Sequence, residues 1–218
     1  MQPQTPPTCR VCTRSTSKLF GVVEGLKYWR CPRCTATFLD HRQLPSPDRE
    51  RTHYLTHEND PSDPGYRAFL NRLAAPLLAR LPPHSYGLDY GCGPGPALAK
   101  MLEEAGHTVA LFDPFFAPNS AVLGATYDFV TCTETAEHFH DPFAEFRRFD
   151  ALLKPGGRCA VMTLFQTDDR RFANWHYRKD PTHVVFYRER TMRCLADDLE
   201  WRVEFPHPNV AIFEKVPI

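Results

Sequence analysis

The run Leu88-Asp89-Tyr90-Gly91-Cys92-Gly93-Pro94-Gly95-Pro96 decides how the rest of the chain is read. Tyr86 to Tyr90 reads as a short buried strand. Three glycines at alternate positions then turn the backbone, and Pro96 stands where a helix begins and a missing N–H costs nothing. Ala97 to Glu104 continues as helix, and Gly106 ends it. Strand, glycine turn and helix in this order bring main chain close to a ligand, because glycine accepts left-handed φ and carries no Cβ. Many nucleotide-binding folds share such a turn. The next strand, His107 to Phe112, ends at Asp113, from where a carboxylate can accept the ribose hydroxyls of a nucleoside. No Gly-Lys-Ser/Thr is present, which excludes a P-loop. Pro96 stands where the dehydrogenase spacing Gly-x-Gly-x-x-Gly needs its last glycine.

Working outward, Tyr127 to Cys132 reads as a third strand, Phe143 to Leu153 as an amphipathic helix closed by Lys154-Pro155-Gly156-Gly157, and Arg158 to Leu164 as the next strand. Glu189 to Leu199 is a further helix. The strands Trp201 to Phe205 and Val210 to Lys215 are separated only by Pro206-His207-Pro208-Asn209, which implies an antiparallel hairpin at the end of an otherwise parallel α/β sheet. On the N-terminal side, Tyr66, Phe69, Leu70, Leu73, Leu77, Leu78 and Leu81 recur at helical spacing, with Pro76 as an expected kink and Pro82-Pro83 as the stop.

Four of the eight cysteines are paired, as Cys9-Arg10-Val11-Cys12 and Cys31-Pro32-Arg33-Cys34, with 18 residues between the pairs. Two residues between thiols let one tight turn present both sulfurs to one ion, and two such knuckles complete a tetrahedron, so this spacing predicts a structural zinc site. The segment between them, with Phe20 and Tyr28-Trp29, suits a ribbon of strands too short to fold without metal. A redox dithiol normally needs only one such motif on a βαβ unit. Cys92, Cys132, Cys159 and Cys194 are scattered through apolar sequence and read as small core residues.

The chain has 218 residues, 42% hydrophobic and 24% charged, which argues against disorder and allows one domain with a small accessory module. Its 26 basic and 26 acidic residues balance, so no net charge announces nucleic acid or an anionic membrane. Residues 1–50 nevertheless hold eight basic side chains against four acidic ones. Apolar stretches such as Cys159 to Phe165 are too short to span a bilayer, and Met1-Gln2-Pro3-Gln4 has no basic or apolar leader character. The expectation is a cytoplasmic protein with no membrane partner.

Taken together, the motifs resemble those of class I S-adenosylmethionine-dependent methyltransferases. Leu88 to Gly95 is similar to that family's first motif, and Tyr127 to Cys132 to its fourth strand. Glu134-Thr135-Ala136-Glu137-His138 with Asp141-Pro142 resembles the Glu-x-x-Glu-His…Asp-Pro segment of the ubiquinone-biosynthesis O-methyltransferase branch. Leu152 to Gly157 looks like the turn before the fifth strand. The resemblance covers about residues 85–218. It implies a Rossmann-like sheet with an antiparallel last strand, S-adenosylmethionine as cofactor, and a small-molecule acceptor. Bacterial methyltransferases without an assigned substrate, sugar C-methyltransferases and an rRNA guanine methyltransferase also carry N-terminal zinc modules. The expected division is a zinc ribbon over 1–44, a connector and cap helix over 45–84, and the cofactor domain over 85–218. The cofactor would be held by Asp89, Gly91, Gly93, Gly95, Asp113, Thr133 and Glu134. Only 13 residues separate Asp113 from Tyr127, so the family's third strand and its adenine-contacting acid are expected to be reduced or missing. Phe115, Phe116 or the Cys132-Thr133 edge are the candidates to replace that contact.

Methyl transfer to a hydroxyl or amine needs alignment and removal of a proton. Candidates follow the C-terminal ends of the strands, where this sheet type binds ligands. His138, Tyr177 and His183 are expected to converge there as catalytic residues, with Glu134, Glu137 and His138 able in principle to hold a divalent cation. Tyr54, His57 and Asn59 form an N-terminal cluster that could fold over the cofactor. Two competing readings remain. One is an RNA methyltransferase gripping phosphates with Arg10, Arg14, Lys18, Lys27, Arg30 and Arg33. Against it, the chain lacks an Asn/Asp-Pro-Pro-Tyr/Phe tetrapeptide and a catalytic cysteine pair. The other is a non-catalytic zinc-ribbon binding protein on a degenerate cofactor fold.

Overall fold

A computed structural model describes residues 5–56 and 60–217. In chain order it contains β1 (Lys18–Val23), β2 (Leu26–Arg30), β3 (Thr37–Leu39), α1 (Pro47–Tyr54), α2 (Pro64–Leu78), β4 (Tyr86–Tyr90), α3 (Ala97–Glu104), β5 (Thr108–Phe112), β6 (Tyr127–Thr133), α4 (Pro142–Leu152), β7 (Leu153–Met162), α5 (His176–Lys179), β8 (Val185–Phe186), α6 (Glu189–Leu199), β9 (Trp201–His207) and β10 (Val210–Lys215).

The main sheet runs β5-β4-β6-β7-β10-β9. Its first four strands are parallel, and β10 is antiparallel to both neighbours, as the short final hairpin requires. Between β5 and β6 there is no strand. A 3-10 turn at Ser120–Gly124 bridges them, so the expected loss of the third strand is what the short connection produces. Leu70, Leu73 and Leu77 of α2 and Leu98 and Leu102 of α3 bury one face of the sheet against Phe129, Met162 and Ile212. Phe146 and Phe149 of α4 and Leu195 and Leu199 of α6 cover the other face, against Tyr90, Val161 and Phe213. Each such side chain contributes about 1.5–3 kcal/mol by leaving water.

Several boundaries differ from the sequence reading, two of them for plain local reasons. Helix α2 begins at Pro64, because the Asp63 carboxylate accepts from the Gly65 N–H at 2.8 Å and caps it. Strand β7 begins at Leu153, ahead of Arg158. Lys154 to Gly157 forms a bulge within it, and the register jumps from Tyr127 opposite Leu153 to Phe129 opposite Arg158. The cysteine-rich segment forms a second, antiparallel sheet, β1-β2-β3-β8, whose last strand comes from far along the chain. Among the described residues no helix is long and apolar enough to cross a membrane.

Candidate active site

The glycine turn after β4 is built as its sequence demands. Gly91 and Gly93 have φ of 78° and 63°, in the left-handed region. A Cβ on Gly91 would stand 2.2 Å from Cγ2 of Thr135, whose hydroxyl donates to the Gly91 carbonyl at 3.2 Å. Gly91→Ala is therefore expected to cost at least about 1–2 kcal/mol from backbone conformation alone, with the clash in addition. A denaturation curve superimposable on the wild type's would contradict this.

Asp113, buried at the end of β5, accepts from the Gly93 N–H through Oδ2 (3.0 Å) and from the Phe115 and Phe116 N–H groups through Oδ1 (2.8 and 3.0 Å). A carboxylate offers about four lone-pair positions. Three are taken, and the remaining one, on Oδ2, can meet a ribose hydroxyl. Asp89, one strand over, is buried and accepts from the Thr131 hydroxyl at 2.7 Å. Burial pushes its carboxyl up to about 6. A carboxyl raised in the fold destabilises it as pH rises through the interval between the free and folded values. The folded protein should thus lose roughly 3 kcal/mol between about pH 4 and pH 6 from this group. Asp89→Asn should be progressively more stable than the wild type as pH rises across that interval. A stability difference that does not change with pH would contradict the assignment.

After β6 the chain passes through Thr133 and Glu134. Glu134 is a non-glycine residue at φ 46°, a costly conformation of the kind concentrated at functional sites. Its Oε2 accepts from the Tyr177 hydroxyl at 3.2 Å, and its Oε1 is buried without a partner. Burial, and then the charge of Glu137, push its carboxyl up to about 9. Glu137 is fully buried with neither carboxylate oxygen hydrogen-bonded. Its Oε1 lies 4.0 Å from Nε2 of both His138 and His183. Each imidazole has Nδ1 against a backbone carbonyl, His138 against Thr182 (3.0 Å) and His183 against Tyr177 (2.6 Å). A carbonyl can only accept, so Nδ1 of each ring carries a proton and Nε2 is the atom turned toward Glu137. Burial pulls the His183 pKa down. The His138 and His183 ring centroids are 4.7 Å apart, and the Tyr177 ring lies tilted against His183 with centroids 4.1 Å apart. Of the three residues expected to converge on one pocket, two line it and Tyr177 does not. His138 and His183 face the cleft, whereas Tyr177 stands behind them with its hydroxyl also held by Thr163. Burial drives the Tyr177 pKa well up.

Glycine turn, Asp113, Thr133, Glu134, Glu137, His138 and His183 line one cleft of about 790 Å³, together with Asp89, Phe115 and Phe116. That lies within the range of small-ligand sites. Its roof is a helix that the sequence did not announce, although Tyr54 was expected to fold over the cofactor. Helix α1 supplies Glu50 and Tyr54, with Tyr54 against the Phe115 ring (5.5 Å) and the His138 ring (5.2 Å). Glu50 meets His140 at 2.8 Å, and His53 meets Asp180 at 3.0 Å. Of the N-terminal cluster, Tyr54 reaches the cleft, while His57 and Asn59 lie outside the described residues. Glu137, His138 and His183 also place three ligand-type atoms within 4.8 Å of one another.

The other candidate metal centre is formed by Cys9, Cys12, Cys31 and Cys34, all buried. Their sulfurs approach to 3.7 Å (Cys9–Cys34) and 3.6 Å (Cys12–Cys31). Zinc–sulfur bonds of about 2.3 Å in a tetrahedron require edges near 3.8 Å. Backbone N–H groups of Val11 and Cys34 point at the Cys9 and Cys31 sulfurs at 3.3 and 3.4 Å, an arrangement that favours thiolates. The donor set therefore fits zinc.

A family model described as "Methyltransferase domain" matches residues 63–204. The chain is 36% identical over 78 residues to the ubiquinone biosynthesis O-methyltransferase of Vibrio parahaemolyticus, covering 36% of this chain and 33% of that protein. It is 31% identical over 112 residues to the Escherichia coli O127:H6 protein of the same name, covering 40% and 45%. It thus spans a third to under half of the length of these curated relatives. Among solved structures it resembles 1,6-didemethyltoxoflavin-N1-methyltransferase of Burkholderia thailandensis, solved with 1,6-didemethyltoxoflavin and S-adenosylhomocysteine, with TM-score 0.55 and 18% identity over 90% of this chain and 98% of that one. With the sheet order, the glycine turn and a family match over most of its length, the chain belongs to the methyltransferase-domain family and is built on the class I methyltransferase sheet.

Proposed function

We propose that this protein transfers a methyl group from S-adenosylmethionine to a small-molecule hydroxyl or amine, and that Cys9, Cys12, Cys31 and Cys34 hold a structural zinc ion. The observation that carries the reading is the single cleft joining the glycine turn and Asp113 to the Glu137–His138–His183 cluster. When bound, S-adenosylmethionine supplies an electrophilic methyl on a sulfonium. On the cofactor side, the Gly91–Gly95 turn admits close backbone approach, and the open lone pair of Asp113 Oδ2 meets the ribose. Asp89, Thr133 and Glu134 complete that half. On the acceptor side, Nε2 of His183 takes the acceptor's proton. Its lowered pKa keeps the ring neutral and ready at pH 7, and the Glu137 carboxylate stabilises the imidazolium that forms. Tyr177 fixes the His183 ring by ring-to-ring contact and by accepting its Nδ1–H on its carbonyl.

The basic ribbon residues support the small-molecule reading over RNA docking. Arg10 is half-buried and bonded to two backbone carbonyls, Arg14 and Arg33 pair with Asp198, and Arg30 pairs with Asp169. A second reading of the acceptor cluster is a divalent cation on Glu137, His138 and His183. It is favoured by the three ligand-type atoms lying within 4.8 Å of one another. Retention of manganese by zinc-loaded protein, lost in Glu137→Gln, would support it. For the cofactor half, Asp113→Ala removes a charge-assisted bond and should weaken S-adenosylhomocysteine binding by about 1.5–3 kcal/mol, roughly 10- to 150-fold. An unchanged dissociation constant would place the ribose elsewhere.

A further inference from the structure

The cysteine ribbon is tied to one half of the cleft. From the first knuckle, Arg10 sends its guanidinium inward: Nη1 donates to the His140 carbonyl at 2.8 Å and Nη2 to the Leu39 carbonyl at 3.0 Å. Its own carbonyl accepts from the Phe143 N–H at 3.1 Å, so one residue between two zinc ligands clamps both ends of segment 140–143. From β3, the Leu39 N–H donates to the Val184 carbonyl at 2.9 Å, and the Val184 N–H donates in turn to the Glu137 carbonyl at 2.9 Å. Beside this relay β3 pairs with β8, immediately after His183. The second knuckle holds α6: Arg33 forms a two-point pair with Asp198 at 2.7 and 2.9 Å, and the Cys34 carbonyl accepts from Thr191 at 2.9 Å.

The glycine turn and Asp113 are secured differently. Gly91 and Cys92 donate to the Phe112 carbonyl of β5, and Asp113 is bonded to the turn itself. Main-sheet parallel pairing therefore organises the cofactor half, whereas the segments bearing Glu137, His140 and His183 are joined to the ribbon by main-chain bonds, beside the Glu50–His140 pair and the Tyr187 hydroxyl on the Ala136 carbonyl. Four sulfurs set only by short turns hold their positions when an ion ties them together.

We infer that the zinc ribbon is the brace of the acceptor half of the cleft, with Arg10 as a positioning residue that transmits the order of the zinc knuckle to segment 137–143. This rests on the proposal that Glu137 and His183 face the methyl acceptor. Such a brace explains why the ribbon's sheet is closed by β8: the ribbon stands as a wall of the site, with its cysteine core continuous with that of the methyltransferase sheet.

The test compares zinc-loaded wild type, zinc-loaded Arg10→Met, and wild type stripped of zinc by a chelator, using amide hydrogen exchange, zinc content and calorimetric binding of S-adenosylhomocysteine. Arg10→Met leaves all four thiols in place and should keep one zinc per chain. Exchange should rise at least about tenfold in segments 137–143 and 182–187, while exchange at 88–95 and the dissociation constant stay within about twofold of wild type. Arg10→Lys, able to reach one carbonyl, should fall between. Stripping zinc should loosen the same segments before the glycine turn. Unchanged exchange in 137–143 and 182–187 in both Arg10→Met and stripped protein would overturn the brace. Equal loosening of both halves would also overturn it, since the ribbon would then be a general stabiliser. Failure of zinc-loaded wild type to bind S-adenosylhomocysteine would overturn the cofactor assignment instead, and the exchange pattern would still decide the brace.

Discussion

Serine in place of both Cys31 and Cys34 is expected to leave the protein without zinc and with its N-terminal sheet unfolded. Structural zinc sites hold on the order of 10–16 kcal/mol of binding free energy in isolated modules, as much as the whole net stability of a typical domain. Residues 18–39 offer only three short strands, and the buried Trp29, Phe38 and Val11 around the cysteines cannot replace that contribution. Trp29 gives the readout. It is buried, and its indole donates to Asp40 at 2.9 Å. Its emission should shift to the red in the double variant, alongside loss of zinc by elemental analysis. Native emission with no zinc would mean that the ribbon folds on packing alone.

The other large effect is expected at Glu137. Glu137→Gln keeps the shape and removes the negative charge 4.0 Å from both imidazole Nε2 atoms. The imidazolium formed when His183 takes the acceptor's proton would lose its counter-charge. Turnover with any accepted substrate should fall by about 10²- to 10⁴-fold, the range of general-base contributions, and His183→Ala should fall comparably. S-adenosylhomocysteine binding should be little changed in both. Full turnover in either variant would make the cluster structural and leave methyl transfer to proximity alone.

Much of this was legible because the governing signals are local. The strand at Tyr86–Tyr90, the helices at Ala97–Glu104 and Glu189–Leu199 and the strand at Val210–Lys215 are bounded by glycine, proline or a change of period, and each sits where those signals put it. The missing third strand followed from chain length, since 13 residues cannot supply two crossovers and a strand. Convergence of His138 and His183 followed from the pairing of β6 with β7, whose trailing loops must meet. What stayed hidden is non-local. Helix α1 has almost no apolar periodicity, because it is held by Glu50 to His140 and His53 to Asp180, pairs that the sequence does not announce. The two-residue strand β8 is too short for any pattern and exists only because β3 offers it an edge. Glu137 looked like one carboxylate among several; its full burial without a partner is a property of the folded cleft.

The cofactor assignment is tested most directly by titrating zinc-loaded wild-type protein and Asp113→Ala with S-adenosylhomocysteine in a calorimeter. The predicted result is saturable one-to-one binding by the wild type, weakened roughly 10- to 150-fold in the variant as one charge-assisted hydrogen bond is lost. No heat of binding with folded, zinc-loaded wild type would contradict the account.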